Sequence, residues 1–271
     1  MNKHIFKALI IAIIAVLGIA FRNQITMFLF GGSQDKESEG SPVSSPSYSP
    51  LPSISETPFP SVTPVFFEPS AYHGRPTEEL RPAPDEVKLF SELQKQELYR
   101  SLQNFGKTVK ENPDFFNGWI QLGLLKKVIG DFEGARDAWE YASLISPKNS
   151  LSFANLGELY WRYLHVYPKS EINFKTSIQN DPTSVGTYVS LSDMYFYSFK
   201  EKSDFADDIL LQGIAVNPHS MDLTKALARL YENTKQYAKA IEWWQKVLTN
   251  DPKNSDLAAT IEGLKKKLPG Q

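Results

Sequence analysis

The residues best suited to chemistry in this chain are four histidines and a run of aspartates, and their spacing argues against a site. His4, His73, His165 and His219 are scattered, and no two stand at a separation that offers paired metal ligands. Asp204, Asp207 and Asp208 do fall at i, i+3 and i+4, which places carboxylates on one helical face. Ser203 just ahead of them makes an N-cap with first-turn acids the simpler reading, because the helix dipole favours negative charge there. No H-E-x-x-H, G-x-S-x-G, Walker or dinucleotide fingerprint occurs. Zero cysteines removes a thiol nucleophile, a Cys-based zinc site and a disulfide framework. The expectation is a protein that is not an enzyme, with no catalytic, cofactor-binding or metal residues and no cofactor.

Composition narrows the partners. A net charge of -2 spread over 271 residues supplies no field that would draw nucleic acid, so none is expected. The distribution along the chain is uneven and defines three regions. Lys3 and Lys7 precede an apolar run from Ala8 to Phe21, extendable back to Ile5, and 17 helical residues reach about 25 Å, the short end for spanning a bilayer. Residues 1–30 are therefore read as a cytoplasmic tip and a signal-anchor or transmembrane helix. The alternative is a signal peptide cleaved near Ala20, after the small-x-small Gly18-Ile19-Ala20. Under either reading the lysines stay in the cytoplasm and the body is extracytoplasmic. Residues 31–84 hold 11 of the 18 prolines and 11 serines, the composition of an extended, disordered linker. Residues 85–271 carry the helical patterning.

That third region repeats. From Trp119, an aromatic recurs at Phe153 and Tyr188, with Thr224 as the weak copy. Leu122, Leu156, Leu191 and Leu227 follow in step, each with a small neighbour: Gly123, Gly157, Ser192 and Ala228. Lys126, Tyr160, Tyr195 and Tyr231 come next, then Ala135, Ser170, Ala206 and Ala240, then Trp139, Phe174, Leu210 and Trp244. Pro147, Pro182, Pro218 and Pro252 close the units at intervals of 35, 36 and 34 residues, each stopping the helix behind it. Each unit is a helix pair whose apolar stripe must be shared with neighbours.

A period near 34 with these markers resembles the tetratricopeptide repeat. The resemblance implies an all-α fold, a TPR-like α-solenoid of antiparallel helix pairs, here preceded by a transmembrane helix and a disordered linker. The units are 116–149, 150–184, 185–220 and 221–254, with a partial unit or helix over 85–115 and a capping helix over 255–268. In the cap, Ser255 and Asp256 offer a start; in the partial unit, Leu93 joins Val87, Phe90, Leu102, Phe105 and Val109 as apolar cover. Extra residues between Tyr160 and Ser170, and between Tyr195 and Ala206, enlarge two inter-helix turns.

The resemblance also implies a concave face built by the first helix of each unit. The positions not serving the core are Asn117, Ile120, Leu124 and Lys127; Leu151, Ala154, Glu158 and Trp161; Gly186, Val189, Asp193 and Phe196; and Asp222, Lys225, Arg229 and Glu232. Candidate groove residues are Asn117, Leu124, Asn155, Glu158, Trp161, Val189, Asp193, Phe196, Lys225 and Arg229. They describe an aromatic pair, Trp161 beside Phe196, an acidic middle and a basic end, a surface for a protein or peptide segment. The alternative for the two aromatics is packing under the enlarged turns. Ile120 and Leu124 stand where the family's carboxylate clamp needs polar groups, so that clamp is not expected. The functional expectation is a membrane-tethered extracytoplasmic scaffold for protein or peptide binding in an envelope assembly, secretion or folding complex. Alternatives are an enzyme or glycan-processing accessory on a repeat frame, and an organelle receptor with cytosol-facing repeats.

Overall fold

The small residue beside each Leu marker sets how closely two helices approach. The computed structural model describes residues 71–268. A side chain at Gly123 would collide with the indole of Trp139, and one at Gly157 with the ring of Phe174. In the third unit Ser192 holds the same place, and its Oγ donates across the hairpin to the Ala206 carbonyl at 2.7 Å. Ala228, fully buried, occupies that place in the fourth. Helices of this length are marginal alone in water, so these close contacts and the faces they bury are what stabilise them.

The elements are α1 (Pro84–Val87), α2 (Glu92–Glu111), α3 (Phe116–Ile129), α4 (Phe132–Ile145), α5 (Ser150–Arg162), α6 (Tyr167–Asn180), α7 (Val185–Tyr197), a 3-10 segment (Lys200–Phe205), α8 (Ala206–Val216), α9 (Met221–Asn233), α10 (Tyr237–Asn250) and α11 (Ser255–Lys265). The pairs α3/α4, α5/α6, α7/α8 and α9/α10 are hairpins, and each packs on its neighbour in chain order. Three of the four inter-helix turns contain a residue in the left-handed region: Gly130, His165 and Lys235. The turn of the third unit absorbs its extra residues as the 3-10 segment instead. The apolar segment expected to cross a membrane, residues 1–30, lies outside the described residues, as does the Pro/Ser-rich stretch up to residue 70. Among the described helices none is long and apolar enough to cross a membrane.

A recurring hydrogen bond ties each unit to the one before it. Tyr160 donates to Glu140 at 2.7 Å, Tyr195 to Glu171 at 2.7 Å, and Tyr231 to Asp207 at 3.0 Å. Burial, then the carboxylate, raises all three phenols, Tyr231 to about 12. The first unit breaks this series with Lys126. Among the described residues no earlier complete hairpin stands beside it, and residues 71–83 take that position as a strap. The ammonium of Lys126, fully buried, donates to Asp131 Oδ2 at 2.9 Å and to the Glu79 carbonyl at 3.2 Å. Thr77 donates to the Gly106 carbonyl at 2.8 Å, and the Ala83 N–H to the Ile129 carbonyl at 2.7 Å. Tyr72 stacks at 4.6 Å on Trp119, and Arg75 pairs with Asp137 at 2.8 Å and with Glu133. The packed unit thus begins ahead of residue 85, inside the stretch assigned by composition to the linker.

Other local expectations change. Leu93 is 66% exposed and covers nothing, because the helical stretch from Asp85 breaks after Val87 and restarts at Glu92 behind a Ser91–Gln94 capping box. Ser203 is not an N-cap, since the enlarged turn places it inside the 3-10 segment, and α8 starts without a side-chain cap. Asp207 instead receives the Tyr231 hydroxyl. The final helix is capped by Asn254, whose Oδ1 accepts from the Leu257 N–H at 3.0 Å, one residue ahead of the expected start.

Candidate partner-binding groove

The first helices of the hairpins are α3, α5, α7 and α9, and stacking aligns the same turn of each. Glu158 on α5 accepts from Lys127 on α3 at 3.3 Å and lies 3.8 Å from the Arg162 guanidinium one turn further on. Burial raises the Asp193 carboxyl on α7 above its ordinary value, against the downward pull of Arg162 and of Arg229 on α9. The result is a line of alternating charge across four units: Lys127, Glu158, Arg162, Asp193, Arg229. Among the described residues, neither Arg229 nor Lys225 has a carboxylate within salt-bridge distance. The line therefore ends at the last unit in cations that form no salt bridge among the described residues, and its Asp193 carboxylate is held in a partly desolvated place where charge is costly and a bound donor would be strongly felt.

Around this line, Asn117 is exposed, while Leu124, Asn155, Val189, Phe196 and Lys225 are half-buried. Asn155 Nδ2 is buried without a hydrogen-bond partner. Leu151 offers apolar surface, 46% exposed, and a side chain at Gly186 would meet open space. Glu158 on α5, Asp193 on α7 and Arg229 on α9 lie along one line of charge.

The two aromatics follow the alternative reading, packing under the enlarged turn instead of forming an open pair. Trp161 is 6% exposed, its Nε1 donates to Ser198 Oγ at 2.8 Å, and Arg162 covers its ring at 3.9 Å. The enlarged turn after α7 brings Ser198 over the indole, so Trp161 is core. Phe196 packs edge-on against Tyr197 at 4.7 Å with the Lys200 ammonium 5.3 Å from its ring. Ile120, named from its place on the helix, is also buried. Arg162 is the groove residue that sequence reasoning passed over. It lies one residue beyond Trp161, and the signal was its i+4 spacing from Glu158.

The described residues thus have the fold of a tetratricopeptide repeat array, an all-α stack of helix hairpins with a polar face on the first helices. Residues 224–254 match the family described as tetratricopeptide repeat. A tetratricopeptide repeat protein from Parabacteroides merdae superposes with a TM-score of 0.50 at 15% identity, covering 68% of this chain and 72% of that one. A thermophilic repeat protein of Thermus thermophilus gives 0.44 at 19% identity, covering 66% and 97%. The human Superkiller complex protein 3 is 20% identical over 156 residues, 58% of this chain, and the chain spans 8% of that protein's length.

Proposed function

We propose that this protein is a membrane-tethered scaffold without catalytic activity, whose repeats face the extracytoplasmic side and bind a protein or peptide segment on the first-helix face. Its setting is an envelope assembly, secretion or folding complex. Support for the tether and its sidedness comes from the lysine-flanked apolar run at the N-terminus followed by the Pro/Ser-rich stretch. Secretion after cleavage near Ala20 is the alternative.

The observation that carries the binding reading is the charge line of Lys127, Glu158, Arg162, Asp193 and Arg229, ending in Arg229 and Lys225, which form no salt bridge among the described residues. An extended segment laid along it meets donors for its carboxylates at Arg229 and Lys225 and an acceptor at Asp193 in its middle. Charge placed this way sets register and suppresses wrong partners more than it adds affinity. The test is crosslinking of the intact full chain in its own cells, with partners identified by mass spectrometry, alongside Arg229→Glu and Asp193→Lys. Both changes should sharply reduce capture while leaving the helical signal intact, and unchanged capture would refute the groove. Protease protection of the repeats in intact cells tests the sidedness.

A further inference from the structure

The fourth residue of the first helix is Trp119, Phe153 or Tyr188 in the first three units and Thr224 in the last. Trp119 and Tyr188 are almost fully buried, and Tyr188 packs against Gly213 on the facing helix α8. At the place of Gly213, α10 carries Val247, which restores only part of the volume of the missing ring. What remains is a cleft of about 360 Å³ between the end of α8, the start of α9 and α10. Its walls include Ile214, Pro218, Met221 and Trp243. The Thr224 hydroxyl donates to the Ser220 carbonyl at 2.9 Å and so needs nothing from an occupant.

The rim is basic. The Lys246 ammonium lies 3.6 Å from the centroid of the Trp243 ring, His219 stands exposed beside it, and no carboxylate lines the cleft. Lys246 is also paired with Glu242 at 2.9 Å, but that pair is surface-exposed and easily exchanged. None of the groove residues lines this cleft. Its volume falls at the lower end of the roughly 300–1,000 Å³ of ligand pockets, enough for one side chain.

We propose that this cleft is a second binding site, which takes an aromatic side chain of a protein partner flanked by carboxylates. The incoming ring completes the packing that the other units complete with their own aromatic, against Met221 and the Trp243 ring. The flanking carboxylates meet Lys246 and His219. Because the ring is large and the lock is local, one anchor residue carries most of the affinity.

The test titrates the probe Ac-Glu-Trp-Glu-NH2 into the isotopically labelled full chain and follows the Trp243 indole N–H and the Met221 methyl by NMR. Saturable shifts at both are expected, with affinity roughly tenfold weaker for Ac-Lys-Trp-Lys-NH2 and no shift with Ac-Glu-Ala-Glu-NH2. Thr224→Phe should abolish the shifts while raising the melting temperature, since the added ring fills the cleft from inside. Lys246→Glu, a surface change that does not risk the fold, should reverse the preference between the two charged probes. The proposal is overturned by the absence of saturable shifts, by an equal response to the alanine probe, by undiminished binding in a folded Thr224→Phe protein, or by an unchanged charge preference in Lys246→Glu. Because none of the groove residues lines the cleft, shifts read at Trp243 and Met221 report on the cleft, and the groove is tested separately by Arg229→Glu and Asp193→Lys.

Discussion

Removing the Asp131 carboxylate strands a buried charge, and the size of the effect follows from the contacts around it. Lys126 is fully buried, and its ammonium has two oxygens, Asp131 Oδ2 and the Glu79 carbonyl. Asp131→Ala leaves the carbonyl alone to hold it. Deleting one partner of a buried pair costs about 3–5 kcal/mol. The same carboxylate caps α4 by accepting from the Gly134 N–H at 3.0 Å, and losing such a cap costs about 1 kcal/mol. The sum, about 4–6 kcal/mol, is a large share of the ~5–15 kcal/mol that stabilises an ordinary domain. Because a repeat array is held together by neighbour interfaces, the loss should fall locally. Urea denaturation should show the full cost, and hydrogen exchange should show residues 76–83, α3 and α4 losing protection while α9 and α10 keep theirs. The double change Lys126→Met with Asp131→Ser removes both charges and retains a capping hydroxyl, so it should recover most of the stability. If Asp131→Ala costs under about 1 kcal/mol, or the double variant is no more stable than the single, the buried pair does not hold the strap as described.

Asp193→Asn tests the groove electrostatics. Burial raises the Asp193 carboxyl above its ordinary value despite Arg162 and Arg229, so the native state binds that proton more tightly than the unfolded chain. Stability then falls as pH rises through the shifted value, the cost being complete above it. Asp193→Asn should accordingly be the more stable protein at pH 7, the gap closing below about pH 3.9, as read by denaturation at several pH values. Arg229→Ala should move the Asp193 midpoint further up in a carboxyl NMR titration. Gly123→Ala drives a methyl into the rigid Trp139 indole and should cost about 1–3 kcal/mol in urea denaturation. Tyr195→Phe removes a donor to Glu171, which keeps Lys175 and Lys202, so the loss should sit near the lower end of the ~1.5–3 kcal/mol for a bond to a charged group.

Much of the fold was legible because it is local and periodic. The small residue after each Leu marker anticipated the closeness of each hairpin, since only a missing or short side chain lets Trp139 and Phe174 in. The closing prolines fall at helix ends, and the enlarged turns fall where the spacing lengthens. Glu158, Asp193, Lys225 and Arg229 could be placed on the first-helix face because helical phase alone assigns them there. Trp161 could not be, because helical phase says which way a side chain leaves its helix and nothing about what folds over it.

The chain's order of residues determined by itself the period, the pairing of helices and the polar face they share, all consequences of separations within about one unit. Tertiary structure alone decided the strap, the burial of Lys126 and Trp161, and the role of Arg162. The deciding contacts join Thr77 to Gly106, Lys126 to Glu79, Trp161 to Ser198 and Arg75 to Asp137 across irregular segments with no period to read. A lysine in the fourth marker series looks like a solvated charge until a backbone carbonyl from 47 residues upstream is seen to cover it. Likewise, Thr224 is a weak copy in the sequence and becomes a cleft only when three helices fail to close around it.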